Sequence, residues 1–188
     1  MDPELNELKQ NILNDIDPEK KISLKKERRR IYIIAASEFL AIILLGVMLF
    51  WVVYGMSKVS GVSMYPTLRD GERVFFIRAG RHYNVGDIVA VDLDDEKDVV
   101  KRVIAVAGDN VNVTGGKVFV NGEEAVVEEA VGKTFQAERG IKFPIVVGDG
   151  EVFLLGDNRE FSRDSRDYGC VPISRIKGKL DFYYGRLG

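Results

Sequence analysis

IYIIAASEFLAIILLGVMLFWVVY, residues 31–54, is apolar almost without interruption. As an α-helix its 24 residues extend about 36 Å, enough to cross a hydrocarbon core of roughly 30 Å. A buried helix of a soluble protein is seldom apolar on every side over this length, and a cleavable signal peptide has a shorter apolar core with a small-residue exit. Trp51 and Tyr54 give this stretch an aromatic exit, as at a membrane interface. The stretch therefore predicts one transmembrane helix.

Glu38 is the one charged side chain in residues 31–57. A carboxylate inside a membrane span costs a few kcal/mol, and less when it lies near one end or is protonated. One interpretation is a contact with another helix or a role in proton movement. The other, which we favour, is that Glu38 lies close to the membrane boundary and reaches the headgroups.

Charge is segregated along the chain, although the 188 residues carry a formal charge of only −2. Residues 1–30 carry eight basic and seven acidic side chains, and residues 58–188 carry nineteen and twenty-one. This near-balance argues against nucleic acid as a partner. One Cys and one His exclude an internal disulfide and a His/Cys zinc centre. The chain has three parts.

The charges flanking the apolar stretch predict its orientation. Residues 20–30, KKISLKKERRR, precede it, whereas Lys58 is the only basic residue between it and Arg69. The positive-inside rule then assigns 1–30 to the cytoplasm, 31–54 to the membrane and 55–188 to the extracytoplasmic side. Such a basic run can also bind nucleic acid, but next to a span the topological and lipid-headgroup interpretation is stronger.

The first seventeen residues show a weak helical pattern. Leu5, Leu8, Ile12 and Ile16 fall on one face of a helix. A short surface-lying helix and a frayed polar tail both fit this pattern.

From about residue 55 the sequence changes to short strand-like runs separated by Gly, Asn and Asp. The runs predict seven strands: Arg73–Ile77, Asp87–Leu93, Val99–Val106, Asn110–Val113, Lys117–Val120, Glu151–Leu155 and Lys179–Tyr184. Gly115-Gly116 and Asn121-Gly122 are turn dipeptides, and the second is typical of a tight hairpin. The fold class is therefore mainly β, an antiparallel domain of about 130 residues behind one transmembrane helix. The stretch 122–144 is a possible excursion from its core.

Three polar runs interrupt this β pattern. The first is SGVSMYPTLRDGE, residues 60–72, where a serine in a Gly- and Pro-containing bend can lie beside backbone N–H groups that form an oxyanion hole. Taken alone, a serine in such a bend is usually just a turn residue.

The second run is DVVKRVIAVAGD, residues 98–109. Lys101 stands inside its apolar part, so the amine either extends outward to water or is held where solvent is scarce. Burial lowers the pKa of an amine, and a neutral amine can act as a general base. A lone lysine in such a run more often lies at the surface.

The third run is LLGDNREFSRDSRDYG, residues 154–169. It is too polar for a core, and its simplest interpretation is a solvated loop held by ion pairs. The Asp and Asn spacing resembles a calcium loop, but the glycine and terminal glutamate of an EF-hand are missing.

A reactive serine needs a base, and the single histidine offers little. His82 lies in RAGRHYNVGD, a turn-like polar segment with no Ser or Asp motif beside it, and Cys170 is predicted to be a small apolar filler. A serine with a lysine base needs no histidine.

Together these runs resemble the motifs of the type I signal (leader) peptidases. SGVSMYPTL is similar to the family's serine motif, KRVIAVAGD to its lysine motif, and GDNREFSRDSRDYG to its late acidic motif. GDIVAVDL, residues 86–93, resembles the strand between the first two, and the preceding anchor matches the compact single-span members. The resemblance covers roughly residues 31–180 and implies a β-rich serine protease that cleaves signal peptides from exported preproteins.

The resemblance also implies a role for each matching residue. Ser63 is the expected nucleophile, Lys101 the general base, and Ser162 the residue that orients the lysine amine. Two ion pairs are expected to hold the site, Asp157 with Arg102 and Asp164 with Arg166. Val59, Met64 and Val100 are expected to line shallow pockets for the small residues at −1 and −3 of the substrate. No cofactor is expected, and the expected partners are preprotein signal peptides, the lipid bilayer and the secretion translocon.

The chain departs from the family pattern at two positions. Some members carry a second serine two residues before the nucleophile, which helps to bind the oxyanion. Gly61 occupies that position here, so the oxyanion hole is expected to depend on backbone N–H groups, chiefly that of Ser63. Ser60 is one position off and is not assigned this role. Arg163 stands where a small residue is common, which affects the shape of the pocket there.

Of three other functions considered on the sequence, two remain open. A specialised Ser/Lys peptidase for pilin-like substrates would share these motifs. A self-cleaving repressor would need a DNA-binding domain, for which residues 1–30 are too short. A non-catalytic, membrane-tethered β module that binds exported proteins would not need the Ser/Lys pair.

Overall fold

The computed structural model describes residues 3–14, 18–78, 80, 82–93 and 96–184. The chain divides into two units, residues 1–50 and 51–188. The first unit is helical and the second consists mainly of β-strands.

Two helices form the N-terminal part of the chain. Helix α1 spans Pro3–Asn14 and exposes Leu5, Leu8 and Ile12. Of the two alternatives for this segment, the helix is therefore the one observed. Ile16, the last residue of the predicted apolar face, lies outside the described residues.

Helix α2, Pro18–Val53, contains nearly all of the apolar stretch and continues it backward through the basic run. Its part Lys25–Val53 has a mean hydropathy of 2.5 and is long and apolar enough to cross a membrane. The helix ends one residue earlier than predicted, because Tyr54 begins a strand and pairs with Ile77. Glu38 is exposed on this helix.

Eleven strands are described in the second unit, and they form two antiparallel sheets. They are β1 Tyr54–Lys58, β2 Arg73–Ile77, β3 Ile88–Leu93, β4 Glu96–Val106, β5 Asn110–Thr114, β6 Lys117–Val120, β7 Glu123–Glu124, β8 Ile145–Val146, β9 Glu151–Leu155, β10 Val171–Pro172 and β11 Ile176–Tyr184. The larger sheet has the order β1-β2-β11-β3-β4-β9-β10, and the smaller has the order β7-β6-β5-β8. The predicted fold class, antiparallel β behind an apolar helix, is confirmed.

All seven predicted strands are present, with shifts of at most three residues at their ends. The sequence missed β1, β7, β8 and β10. Three of these have two residues each, too few for any alternation to be visible, and β1 continues directly from the apolar helix.

The turn dipeptides behave as expected. Gly115-Gly116 joins β5 to β6, with Thr114 opposite Lys117, and both glycines have positive φ. Asn121-Gly122 joins β6 to β7, again with positive φ at both residues, as a two-residue hairpin of this type requires. Beyond it, residues 125–144 contain no strand, but the predicted excursion from the core is wrong for part of this stretch, because Ala125, Val127, Ile141 and Phe143 pack against a buried apolar cluster.

The strand β4 carries the two basic residues that matter most to the site. Lys101 pairs with Val89 and Arg102 with Ile88 on β3. Because successive side chains of a strand point to opposite faces, the two basic groups are directed to different sides of the sheet. Nearby, Val59, Met64 and Val100 belong to one buried apolar cluster.

Candidate active site

Two side chains from distant parts of the chain meet at the centre of the site. Ser63 lies in the turn-rich segment after β1, and Lys101 lies on β4. Lys101 Nζ donates a hydrogen bond to Ser63 Oγ at 2.8 Å. This distance is within the 2.6–3.2 Å over which a base can take a proton from a hydroxyl. The pair that the resemblance implies is therefore brought into contact.

The surroundings of Lys101 suit a base. The residue is 3% exposed, so the outward, solvated alternative for this lysine does not apply. Its strand neighbour Val100 is also buried, within an apolar cluster. Removal of an amine from water disfavours the ammonium form and favours the neutral amine that can accept a proton.

The segment around Ser63 is a series of tight turns. Tyr65 N donates to Val62 O at 3.1 Å, and Leu68 N donates to Met64 O at 2.9 Å. The backbone N–H of Ser63 donates to no atom of the described residues. It is therefore available to a ligand that approaches Ser63 Oγ.

Gly61 has a structural reason to be glycine. Its φ is +84°, in the left-handed region, and its N–H donates to Asp70 Oδ1 at 2.8 Å. A serine at this position would strain the backbone. Some family members have a serine at this position, and the positive φ of Gly61 explains why glycine suits this chain.

Asn158 binds two backbone carbonyl groups in the segment around Ser63. Its backbone N–H donates to Ser63 O at 2.9 Å, and its side-chain Nδ2 donates to Val62 O at 3.1 Å. In the sequence, Asn158 is only one member of a polar run. Its signal was its place in GDNR, but an asparagine in an ordinary turn leaves the same signal.

A buried ion pair lies on the other face of β4. Arg102 donates to the Asp157 carboxylate through Nε at 2.8 Å and through a terminal nitrogen at 2.7 Å. Thr67 Oγ1 also donates to Asp157, at 2.5 Å, and Asp157 is fully buried. The predicted pair is formed, and the contribution of Thr67 was not foreseen. Through Thr67, Asp157 thus connects β4 to the segment that contains Ser63.

The second predicted pair holds the loop that follows. Arg166 donates to Asp164 through Nε at 2.8 Å and through a terminal nitrogen at 2.9 Å, and both residues are buried. Asp164 also accepts from Gly156 N at 3.1 Å, and Arg166 donates to the carbonyls of Arg159 and Ser162. Asp164 caps the one-turn helix α3, Ser165–Tyr168. The loop is thus tied to the strand β9 that precedes it.

Ser162 has a different environment from the one expected. Its Oγ is buried and has no hydrogen-bond partner among the described residues, so the expected bond to the Lys101 amine is not formed. The hydroxyl lies against Gly156, where a Cβ would collide with Ser162 Oγ and with the carbonyl oxygen of Ser63. Gly156 therefore allows Ser162 and Ser63 to approach each other.

Arg159 is a buried cation that the sequence analysis did not single out. One terminal nitrogen donates to Thr134 Oγ1 at 2.8 Å, while Nε and the other nitrogen have no partner among the described residues. Burial lowers the pKa of Arg159, and the nearby carboxylates of Asp157 and Asp164 oppose this effect. Arg159 adds positive charge beneath the loop without completing an ion pair.

Ser63 and Lys101 line a cleft of about 190 Å³. Its walls include the three residues predicted to form the substrate pockets, Val59, Met64 and Val100, all of them buried. Phe161 and Arg163 line the same cleft and are exposed. Phe161 was not among the predicted residues.

The remaining candidate residues take no part in the pair. His82 is exposed, and Cys170 is half-buried and packs against an apolar cluster, as expected for a small filler. Within the described part of the chain, no group of three or more His, Cys, Asp or Glu side chains could hold a metal ion.

Comparison with known proteins relates the whole arrangement to one family. Residues 32–185 match the family described as signal peptidase, peptidase S26. Signal peptidase I of Bacillus licheniformis is 38% identical over 141 residues, 67% of this chain and 74% of the relative. Signal peptidase IB of Staphylococcus aureus strain COL is 34% identical over 143 residues, 67% of this chain and 75% of the relative. A crystal structure of a signal peptidase I from Enterococcus faecalis V583 is 26% identical and covers 53% of this chain and 97% of its own, with a TM-score of 0.42.

Proposed function

Because this chain belongs to the signal peptidase family, peptidase S26, we propose that it cleaves signal peptides with Ser63 as nucleophile and Lys101 as general base. Membership of the family makes the chain a serine protease. The observation that carries the assignment of roles is the 2.8 Å hydrogen bond between Lys101 Nζ and Ser63 Oγ, made by a lysine that is 3% exposed.

In the proposed reaction, the neutral amine of Lys101 takes the proton of Ser63 as Oγ attacks the carbonyl carbon of the scissile peptide bond. The tetrahedral intermediate collapses when the Lys101 ammonium returns that proton to the leaving amino group. The signal peptide is then bound to Ser63 as an ester. A water molecule, deprotonated by the same amine, attacks the ester and releases the carboxylate product and free enzyme.

The oxyanion that forms in each step needs a hydrogen-bond donor. The backbone N–H of Ser63 supports this role, because it makes no hydrogen bond within the described part of the chain. With Gly61 two residues earlier, the chain offers no serine hydroxyl at the position where some relatives of the motif have one. We therefore assign the oxyanion hole to the backbone.

Ser162 keeps the proposed role of orienting the lysine. A buried hydroxyl without a partner costs about 1–3 kcal/mol, and a hydrogen bond to the Lys101 amine would remove that cost. The ion pairs Asp157–Arg102 and Asp164–Arg166 act as positioning groups. The first joins β4, which carries Lys101, to the segment around Ser63 through Thr67, and the second holds the loop that carries Ser162.

The cleft supports the proposed substrate class. Secretory signal peptides end in small residues at −1 and −3 of the cleavage site. The cleft of about 190 Å³ is lined in part by the buried apolar side chains of Val59, Met64 and Val100, which suits small apolar side chains at these positions. Preproteins whose signal peptides carry alanine at these positions are the proposed substrates.

The proposed location is a bacterial-type cell membrane crossed once, with residues 1–30 in the cytoplasm, 31–53 in the bilayer and 54–188 outside as the peptidase domain. The basic residues before the apolar part of α2 support this orientation. The lipid bilayer and the secretion translocon are the proposed partners, because cleavage sites emerge where the chain is anchored.

The test is cleavage of a preprotein by the full chain in detergent, with the new N-terminus sequenced. Ser63→Ala and Lys101→Ala should each abolish cleavage, and Lys101→Arg should also fail because a guanidinium stays protonated. Lys117→Ala, at an exposed lysine of the β5–β6 hairpin, is the control and should cleave normally. Substantial cleavage by Ser63→Ala or Lys101→Ala would overturn the assignment.

A second measurement separates the enzyme from a binding module with the same fold. An acylating inhibitor should label the wild-type chain at Ser63 and should not label Ser63→Ala. Absence of labelling in the wild type would favour the non-catalytic alternative.

A further inference from the structure

Like Val62, Phe161 is a large exposed apolar side chain that lines the cleft. It is 69% exposed and ends the 3₁₀ turn Arg159–Phe161, yet it lines the same cavity as Ser63 and Lys101. A phenylalanine side chain with this exposed fraction contributes little to the hydrophobic core. Its position beside the reacting groups indicates a use in binding.

The turn that carries Phe161 is held firmly. Phe161 N donates to Asn158 O at 3.1 Å, and Arg159 N donates to Val131 O at 3.0 Å. Arg166 donates to the carbonyls of Arg159 and Ser162, at 2.6 and 3.1 Å. The backbone is therefore fixed on both sides of Phe161, so a ligand meets a side chain whose attachment point is already ordered.

The two sides of the cleft differ in character. Val59, Met64 and Val100 are buried and form its floor, whereas Phe161 is exposed and forms a wall. In an extended substrate, successive side chains point in opposite directions. If the small residues at −1 and −3 point to the floor, the residue at −2 points away from it, toward the exposed part of the cleft.

We propose that Phe161 is a specificity-determining residue that contacts the substrate side chain at −2 and favours a bulky apolar or aromatic residue there. This inference rests on the proposed function, because it assumes the −1 and −3 side chains on the floor. Aromatic pairs gain free energy beyond the area they bury, which corresponds to roughly 2- to 10-fold in kcat/KM.

The test uses the full chain in detergent and a set of soluble peptides that share Ala at −1 and −3 and differ only at −2, with Phe, Leu or Ser. For the wild type, the ratio of kcat/KM for the Phe peptide to that for the Ser peptide should be about 3- to 10-fold. Phe161→Ala should bring the ratio to about one. Phe161→Leu should keep the preference for Leu over Ser and lose the preference for Phe over Leu.

Phe135→Ala is the matched control, because Phe135 is an exposed phenylalanine, 55% accessible, that does not line the cleft. This variant should leave the ratio unchanged. A ratio that is the same in the wild type and in Phe161→Ala would overturn the inference. So would a Phe161→Ala defect seen only in binding to lipid vesicles, since the exposed Val62 and Tyr65 nearby make lipid the competing contact.

Failure of the inference is distinguishable from failure of the proposed function. If the wild type cuts none of the peptides and no preprotein, the proposed function fails. If it cuts them with no dependence on the residue at −2, only the role of Phe161 fails.

Discussion

The most informative perturbation of stability is Asp157→Asn, which removes one charge from a pair that is almost entirely out of water. The Asp157 side chain is fully buried and that of Arg102 is 10% exposed. The carboxylate accepts two hydrogen bonds from Arg102 and one from Thr67. An amide of the same shape keeps one acceptor but turns an NH₂ group toward donors. The guanidinium loses its buried counter-charge and keeps the exposed carboxylate of Glu129, 3.8 Å away.

The magnitude follows from burial. Breaking a buried pair by changing one partner costs about 3–5 kcal/mol, because the remaining charge stays buried without compensation. For a domain of this size that loss lowers Tm by about 10–15 °C. An exposed pair is worth only about 0.2–1 kcal/mol. The pair Lys117–Glu124, 2.6 Å apart with side chains 56% and 40% exposed, provides the comparison within the same domain.

The assay is denaturation of the full chain in detergent micelles, followed by the near-ultraviolet circular dichroism of tyrosine, because six of the seven tyrosines lie outside the long helix α2. Asp157→Asn, Arg102→Gln, the double variant and Glu124→Gln are measured together. We expect a large loss for each single change at the buried pair and a change of less than about 1 kcal/mol for Glu124→Gln.

The double variant, Asp157→Asn with Arg102→Gln, tests whether the loss of stability comes from an unpaired buried charge. With both charges replaced, no unpaired ion remains, so its loss should be well below the sum of the two single losses. A double variant whose loss equals that sum would refute the argument, as would Asp157→Asn within about 1 kcal/mol of the wild type.

Two further predictions concern packing and a thiol. Gly156→Ala places a methyl group against Ser162 Oγ and the Ser63 carbonyl, so preprotein cleavage should fall at least about 10-fold while the circular dichroism spectrum is retained. The control is Gly46→Ala, where the added Cβ meets open space. Equal cleavage rates for the two variants would contradict the prediction. Burial, aided by the charge of Glu151, raises the pKa of Cys170, so iodoacetamide at pH 8 should label the folded chain at least about 10-fold more slowly than the urea-unfolded chain. Equal labelling rates for the folded and unfolded chains would contradict the raised pKa of Cys170. Because the folded thiol holds its proton more tightly, its contribution to the free energy of unfolding is present at neutral pH and is lost as the pH rises through the raised pKa.

Particular elements show how far the sequence predicts this fold. Arg73–Ile77 and Glu151–Leu155 are strands with the predicted bounds, because each is an apolar run limited by turn residues on both sides. Tyr54 was assigned to the helix because it continues an apolar run. Whether such a residue ends a helix or begins a strand depends on its partner, here Ile77, and no local pattern records that pairing.

In the candidate site, too, some features can be predicted from local sequence and others depend on contacts between distant segments. Ser63 and Lys101 could be paired only through the resemblance, since each alone fits a turn serine or a surface lysine. The clamp formed by Asn158 could not be predicted, because it depends on the approach of two segments whose sequence separation is 96 residues. The exclusion of serine at Gly61 was also invisible, since it depends on a backbone angle rather than on a residue pattern.

The separation between Ser63 and its supporting residues has a consequence for how the protein is made. Lys101 follows Ser63 after only 38 residues, but Asn158, which holds the segment around Ser63, comes much nearer the C-terminus. A chain of which only the first part has been synthesised therefore carries Ser63 without the contacts that position it. We expect the hydrogen bonds from Asn158 to Val62 O and Ser63 O to form only after most of the β-rich unit has been made, so that Ser63 is positioned late in synthesis.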